Sequence, residues 1–301
     1  MEPLPSRASL DTSAAGPELA RLRSHIMRLA IEIGPRNLFH YEALSATAAY
    51  IRKTFEELGY HPDLQEYDAR RKTFVNISAE HAGQSRPGEI IVVGAHYDSH
   101  NESPGANDNG SAVAALLELA RHFADQQLPR TVRFVAFTNE EKPFTRTRLM
   151  GSRVYAKACR QRGDDIVGMV ALETIGYCSD QPGSQRLSLG GLLLPPTGNF
   201  LALVGNRRSR VLLKKAAGIL EREALLRVRA VTLPTFLPGP WSSDHWSFAK
   251  EGFPAIMATD TAPLRYRHYH KADDTPDKLT FEWLSTVTQG LKATVRGLAG
   301  A

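Results

Sequence analysis

Residues 89–123 read EIIVVGAHYDSHNESPGANDNGSAVAALLELARHF. The segment opens with an almost continuous apolar run, Glu89–Gly94, which is typical of a strand buried on both faces of a sheet. It closes with Ser111–Phe123, where apolar residues recur at helical spacing. A polar, glycine-containing loop joins the two. A buried strand that leads through a polar loop into an apolar helix predicts one unit of an α/β fold.

The same alternation continues along the chain. Thr131–Phe137 (TVRFVAF) and Ile166–Leu172 are further apolar runs, and Arg148–Arg162 between them predicts a helix. Strands separated by helices in this way usually lie parallel in one sheet. We therefore predict a single α/β domain over residues 18–301, with a mixed, mostly parallel central sheet and helices on both of its faces, an α/β/α sandwich.

Weaker patterns fill in the remaining elements. Helices are predicted at Glu18–Ile33, Tyr41–Leu58, Arg210–Leu226 and Phe281–Leu298, and strands at Asp63–Asp68, Thr73–Ala79 and Pro254–Thr259. Asp180–Pro196 is rich in Gly, Gln, Ser and Pro, which predicts a long loop. Residues 1–17 are rich in Pro, Ser and Ala and are predicted to form a disordered lead.

The composition is that of an ordinary globular protein: 301 residues, 42% hydrophobic, 23% charged, with a formal charge of +5. No run approaches the ~18 apolar residues of a membrane span, and the N-terminus lacks the apolar core of a signal peptide. The two cysteines do not make a disulfide framework. We expect a cytoplasmic location, or a secreted or periplasmic one if a leader has been removed. Neither nucleic acid nor membrane is an expected partner, and the oligomeric state is left open.

Polar, chemically competent residues cluster where the predicted strands end. His96 and Asp98 follow the first apolar run, Asp108 precedes the apolar helix, and Glu140 directly follows the next strand. The remaining members of these clusters are Glu141, Glu173, Tyr266 and His270. Open α/β sheets place their sites beyond the carboxyl ends of their strands. Histidines and carboxylates without cysteine suit zinc or a related divalent ion.

An ordered set of short motifs carries a family resemblance. GAHYDS, GANDNGSA, NEE, LETIGY, SDH and YHKADDTPDKL follow one another along the chain. The set resembles the co-catalytic zinc aminopeptidase family, which includes the secreted bacterial leucyl aminopeptidases and glutamate carboxypeptidase II, with the glutaminyl cyclases as relatives. The match runs from about residue 18 to the C-terminus. It implies the zinc-peptidase form of the predicted fold and two Zn²⁺ ions per chain.

The resemblance also assigns roles to the clustered residues. It implies metal ligation by His96, Asp108, Glu141, Glu173 and His270. Asp108 would bridge both ions, and Asp98 would orient the His96 ring. Glu173 stands where many members have Asp. Glu140 resembles the general base, and a cis peptide bond is implied between Asp108 and Asn109.

The implied activity is release of N-terminal amino acids from peptides with a free N-terminus. Tyr266 is a candidate hydrogen-bond donor to the oxyanion of the transition state, and its alternative is a packed loop tyrosine. Asp244 and His245 match the SDH motif and are expected beside the site as supporting residues. Two other functions remain open: a glutaminyl-cyclase-like acyltransferase with a single zinc ion, and a catalytically inactive binding module of the same fold.

Overall fold

The computed structural model describes residues 12–186, 194–224, 226–235, 239 and 241–301. In this part of the chain, eight strands form one sheet in the order β1-β2-β4-β3-β5-β8-β6-β7. The strands are β1 (Asp63–Ala69), β2 (Lys72–His81), β3 (Arg86–His96), β4 (Arg130–Phe137), β5 (Asp165–Glu173), β6 (Leu201–Gly205), β7 (Val228–Thr232) and β8 (Ala255–Thr259). The helices are α1 (Thr12–Met27), α2 (Tyr41–Glu57), α3 (Ala112–Phe123), α4 (Gly151–Arg162), α5 (Arg210–Glu223), α6 (His245–Lys250), α7 (Ala262–Arg265) and α8 (Phe281–Ala299).

The centre of the sheet is parallel, as predicted. β3 lies between β4 and β5 and is parallel to both, and β8 continues the parallel set beside β5. The edges carry antiparallel pairs, β1 with β2 and β2 with β4 on one side and β6 with β8 on the other. The predicted α/β fold with a mixed sheet is therefore confirmed.

Each face of the sheet has its own hydrophobic core, and β3 contributes side chains to both cores. Ile91 and Val93 belong to the core that includes residues of α1, α2, α3, α5 and α8, whereas Ile90 and Val92 belong to the core that includes residues of α4 and α6. Successive strand residues point to opposite faces, so a strand covered on both sides must be apolar at every position. This explains the uninterrupted run in the sequence.

Several elements differ from the prediction. β6 and β7 were not predicted, and β7 is mostly half-buried or exposed, so it lacks a strong apolar signal. α1 begins at Thr12 rather than at Glu18. Residues 1–11 lie outside the described residues, so the disordered lead stays a prediction. The added turn carries almost no apolar residues, so periodicity did not reveal it. Part of the predicted loop Asp180–Pro196, residues 187–193, is also outside the described residues.

Arg36 is a buried arginine that fixes the loop after β3. Its side chain is fully buried and donates to the backbone carbonyls of Tyr97 (2.7 Å), Pro104 (2.5 Å) and Gly105 (2.9 Å). Burial lowers the pKa of Arg36 to about 10, which still leaves it charged at neutral pH. The guanidinium therefore connects the two ends of the loop that carries the first two site motifs.

We expect Arg36→Ala to lower the free energy of unfolding by about 3 kcal/mol or more, because a hydrogen bond to a charged group is worth about 1.5–3 kcal/mol and several carbonyls would lose their donor. Urea unfolding measures the change. The matched control is Arg52→Ala, which removes only an exposed Arg52–Glu56 pair on α2 and should cost less than about 0.5 kcal/mol. Equal losses in the two variants would contradict this role of Arg36.

Candidate metal centre

His96 ends β3 and is completely buried. Its Nδ1 lies 3.1 Å from the backbone oxygen of Asp98 and 3.4 Å from the Oδ1 of that residue. Its Nε2 lies 3.4 Å from Asp108 Oδ1 and 3.5 Å from Glu173 Oε2. A proton on Nδ1, donated to Asp98, leaves the Nε2 lone pair directed at the other carboxylates. This is the tautomer that a metal-binding histidine needs.

Asp98 joins the ends of two neighbouring strands. Its Oδ1 accepts the backbone N–H of Glu140 and its Oδ2 accepts that of Glu141, both at 3.0 Å. The preceding residue, Asn139, has a positive φ of 58°, which turns the chain sharply after β4. The two glutamate side chains diverge from this turn: Glu140 groups with His96, and Glu141 groups with His270.

Asp108 lies between two histidines. Its Oδ1 faces His96 Nε2 at 3.4 Å, and its Oδ2 faces His270 Nε2 at 3.1 Å. Its peptide bond to Asn109 is cis, as the resemblance implied. Burial opposes ionisation of Asp108, but the two facing histidines outweigh it and lower its pKa. The geometry is that of a carboxylate shared by two sites.

The loop of Asp108 is held by Asp274 from the far end of the chain. Asp274 is buried; its Oδ1 accepts the backbone N–H of Asn107 at 2.9 Å, and its Oδ2 accepts that of Asp108 at 3.1 Å. Burial raises the pKa of Asp274 to about 6. His270 lies in the same segment as Asp274, so this contact sets the distance between His270 and Asp108.

The donor atoms fit metal ions. Two groups of three side chains each bring one ligand atom per residue within 4.8 Å of one another. The first group is His96, Glu140 and Glu173, and the second is His100, Glu141 and His270. Three buried atoms have no hydrogen-bond partner in the described part of the chain: His96 Nε2, Asp108 Oδ2 and Glu141 Oε1. His96 Nε2 faces carboxylate oxygens, and the other two atoms face His270 Nε2. Burial and the neighbouring Asp108 raise the pKa of Glu141 to about 7. Crowded, buried carboxylates of this kind are stable as anions only beside cations.

Comparison with known proteins agrees with this geometry. A sequence profile described as peptidase family M28 matches residues 76–295. The chain belongs to peptidase family M28. It is 35% identical over 288 residues to the uncharacterized protein YfbL of Escherichia coli K12, covering 92% of this chain and 87% of YfbL. It is 28% identical over 235 residues to the probable leucine aminopeptidase 1 of Trichophyton verrucosum, covering 72% of this chain and 57% of that protein.

Solved structures share the fold. The zinc aminopeptidase BSAP of Bacillus subtilis superimposes with a TM-score of 0.72 at 16% identity, over 93% of this chain and 95% of BSAP. A glutaminyl cyclase of Fimbriiglobus ruber gives 0.68 at 21% identity, over 98% and 99% of the two chains. The family and the enzyme class predicted from the sequence, a zinc metallopeptidase, are thereby confirmed.

Tyr266, the candidate oxyanion donor, binds Asp274 in the structure. The hydroxyl of Tyr266 donates to Asp274 Oδ1 at 2.7 Å, and the side chain is buried. The role of Tyr266 as an oxyanion donor stays a prediction, with the packed-loop tyrosine as its alternative. Tyr269, three residues later, lines the pocket beside Glu140 and Glu173 and stacks on His270 at 3.8 Å. Neither its spacing nor its type distinguished it from Tyr266 in the sequence.

Glu173 is fixed by the SDH segment. Ser243 Oγ donates to Glu173 Oε2 at 2.5 Å, which directs the longer side chain of Glu173 towards His96. Asp244 is fully buried, and burial raises its pKa to about 7. His245 stacks on Trp241 with ring centroids 4.6 Å apart. Ser243 thus contacts a candidate site residue directly, and the supporting role of Asp244 and His245 stays a prediction.

A largely apolar pocket of about 280 Å³ opens beside the His96 side of the site. Its walls include Val204, Leu233, Met257 and Leu264 from the β6–β7–β8 half of the molecule. Among the described lining residues the carboxylic acids are Glu140 and Glu173, both at the end of the pocket beside the candidate metal ligands.

None of the helices in the described part of the chain has the length and apolar character of a membrane span. The cytoplasmic location stays a prediction.

We expect Asp98→Asn to weaken zinc binding by about 10–100-fold, the usual effect of losing a partner that orients a ligand. The carboxylate accepts hydrogen bonds from two backbone N–H groups, but an amide has only one oxygen. Its NH₂ group would face the second N–H, and the two donors would repel, so the Glu140–Glu141 turn would shift. Competition with a chromophoric chelator measures the affinity. Asp68→Asn is the control, because Asp68 is exposed and bonds only Thr73 Oγ1. Unchanged zinc affinity in Asp98→Asn would show that this turn does not set the site.

Proposed function

We propose that the protein is a two-zinc aminopeptidase that removes N-terminal amino acids from peptides. The observation that carries the proposal is the position of Asp108, whose two oxygens face His96 and His270 separately. With Glu173 beside one histidine and Glu141 beside the other, each ion would have a histidine, a glutamate and a shared aspartate. Zinc ions in such a pair polarise the scissile carbonyl and lower the pKa of a water molecule.

Glu140 is the proposed general base. It is buried and belongs to the His96 group, yet it also lines the pocket where substrate would enter. Burial raises its pKa well above the ordinary value, and nearby carboxylates add to this effect. A carboxylate with a raised pKa accepts a proton from water and then returns it to the leaving amine. Asp98 fixes the Glu140 backbone and so sets the reach of its side chain.

The pocket supports a preference for large apolar N-terminal residues. Its apolar walls suit an aliphatic or aromatic side chain, and its acidic end suits the positively charged N-terminal amine. A substrate carboxylate at the acidic end of the pocket would lie close to the carboxylates of Glu140 and Glu173, which disfavours its binding. The substrate class proposed is therefore a peptide with a free N-terminus and an apolar first residue.

The single-zinc glutaminyl-cyclase-like acyltransferase is the second candidate, and the shared fold of a solved glutaminyl cyclase favours it. Against it stands the second set of donors, Glu141 with His270, which is complete here. Metal counting and a test for release of ammonia from glutaminyl peptides separate the two. An inactive binding module is the third candidate, and metal-dependent turnover would eliminate it.

Glu140→Gln separates catalysis from metal binding. It keeps the size of the side chain but removes the proton acceptor, so kcat should fall by roughly 10²–10⁴-fold. KM and bound zinc should change little, because the lost interaction acts mainly in the transition state. Glu141→Gln should instead lower zinc affinity, with partial rescue of activity by added metal. Both variants are assayed side by side for kcat and for zinc content.

Two results would reassign these residues. If Glu140→Gln loses zinc while Glu141→Gln keeps it, the two roles are reversed. If both variants keep their zinc and their activity, the aminopeptidase proposal fails.

The pocket predicts a graded substrate preference. A leucyl side chain buries about three more methylene or methyl groups than an alanyl one, so at ~0.8 kcal/mol each kcat/KM should favour leucine amide by about 50-fold. Aspartyl and γ-glutamyl amides should be poorer still. Leu233→Asp should lower kcat/KM for leucine amide by about 10-fold or more and reduce the leucine-over-alanine ratio. Val211→Asp makes the same chemical change on the exposed side of α5 and is the control. An unchanged ratio in Leu233→Asp would place the specificity pocket elsewhere.

A further inference from the structure

A basic groove of about 1090 Å³ lies between α5 and α8. α5 follows β6, and β6 runs antiparallel to β8, so α5 begins at the edge of the sheet opposite the carboxyl end of β3. α8 ends at that same edge, where Arg130 at the start of β4 donates to the carbonyl of Leu298 at 3.0 Å. None of the candidate metal ligands is among the described residues that line the groove. The groove is therefore separate from the site described above.

Both helices contribute cations to this groove. The positively charged lining residues are Arg210, Lys214, Lys215, Arg222, Lys292 and Arg296. The first four belong to α5 and the last two to α8. Lys215 and Arg222 are about two helical turns apart, so they lie on one face of α5. Among the described lining residues, Glu223 is the one acidic side chain.

Most of this positive charge is not compensated within the described part of the protein. Lys292 pairs with Glu18, and Arg296 donates to Gln126 Oε1 at 2.5 Å. The four lining cations of α5 form no ion pair with a described carboxylate. The charge also acts on His122, another lining residue, because burial, Lys292 and Arg296 together lower its pKa to about 4. A groove lined by one sign of charge concentrates ligands of the opposite sign.

The floor of the groove is small and apolar. Ile219 is buried there, and Gly218, Ala293 and Gly297 are half-buried, whereas the lining cations of α5 are exposed. A Cβ atom at Gly297 would lie 2.7 Å from Ile219 Cδ1, so the two helices approach too closely at this point for a larger residue. The hydrogen-bonding groups of the groove are therefore the basic side chains along its rim.

This lining favours a long anion that carries only hydrogen-bond acceptors. Lysine and arginine side chains donate and do not accept, and phosphoryl oxygens are acceptors. An acidic peptide would bring backbone N–H donors to a surface where Glu223 is the one acidic partner among the described lining residues. Single-stranded nucleic acids bind basic grooves that also carry aromatic rings for base stacking. No Phe, Tyr or Trp is among the described lining residues.

We propose that the groove between α5 and α8 binds linear polyphosphate, a chain of phosphoryl groups, through the basic side chains of both helices. Arginine contacts phosphate oxygens in pairs, and lysine holds them as a point charge. The chain would lie along the apolar floor and offset the positive charge of the rim. This binding is separate from the proposed two-zinc function, so either proposal can fail without the other.

The experiment titrates the full chain with end-labelled linear polyphosphate at about 0.15 M salt, with fluorescence anisotropy as the readout. The test variant combines Lys215→Glu with Arg222→Glu. It should weaken binding by about 10-fold or more and reduce the salt dependence of the affinity, because fewer counterions are released. The control combines Arg52→Glu with Lys53→Glu, the same charge change on exposed residues of α2. It should change the affinity by less than about 2-fold, because salt screens charges outside the groove.

The His122 ring reports whether the anion lies in the groove. Phosphates there would offset Lys292 and Arg296, so the pKa of His122 should rise when polyphosphate binds. NMR titration of the ring proton, with and without polyphosphate, measures this change. An unchanged His122 pKa in a chain that binds polyphosphate would place the ligand elsewhere.

Three further results would overturn the proposal. The first is no binding by the wild type at this salt concentration, and the second is an equal loss of affinity in the two double variants. The third is displacement of polyphosphate by poly-glutamate or single-stranded RNA as effectively as by unlabelled polyphosphate, which would show a general polyanion surface. Peptidase activity with zinc is assayed on the same proteins and should be unchanged in both variants, so a failure of the two-zinc proposal is seen separately.

Discussion

Four carboxyl groups lie close together, largely buried, beyond the carboxyl ends of the central strands: those of Asp108, Glu140, Glu141 and Glu173. Like charges this close repel one another, and burial removes the water that would screen them. The direct result is the raised pKa of Glu140 and Glu141. The rest of the structure depends on how this negative charge is compensated. Two histidines contribute, and the proposed zinc ions would supply the remainder.

The fold brings these groups together through contacts that are themselves polar and buried. Asp98 ties the ends of β3 and β4 through backbone N–H groups, and Asp274 ties the loop of Asp108 to the segment of His270. Arg36 closes the loop between them through backbone carbonyls. In each case a charged side chain forms hydrogen bonds with backbone groups. Such bonds fix the position of the main chain more firmly than a contact between two flexible side chains does. The proposed ligand side chains are therefore held in place by contacts within the protein itself.

The sequence predicted the parts of this arrangement that follow from burial. β3, β4 and β5 were visible because strands covered on both faces must be apolar, and Glu140 and Glu141 stand out because charge directly after such a strand is unusual. The parts that depend on loop geometry were not visible. Tyr266 binds Asp274 and Tyr269 stacks on His270, a difference that their spacing in the sequence does not reveal. β7 was not predicted because an edge strand with mostly exposed residues has no distinctive pattern of apolar residues.

The glutamate at position 173 bears on the choice of substrate. Its side chain is one methylene longer than the aspartate common at this place in the resembled family, and Ser243 holds its carboxylate towards His96. The same side chain also forms part of the pocket wall, together with Glu140. In the proposed two-zinc state the ion held by Glu173 would balance its charge, which leaves Glu140 as the carboxylate at this end that can meet a protonated amine. A peptide would therefore enter with its free N-terminus at this end and its first side chain among the apolar walls. This orientation places the first peptide bond, rather than the last, next to the proposed base.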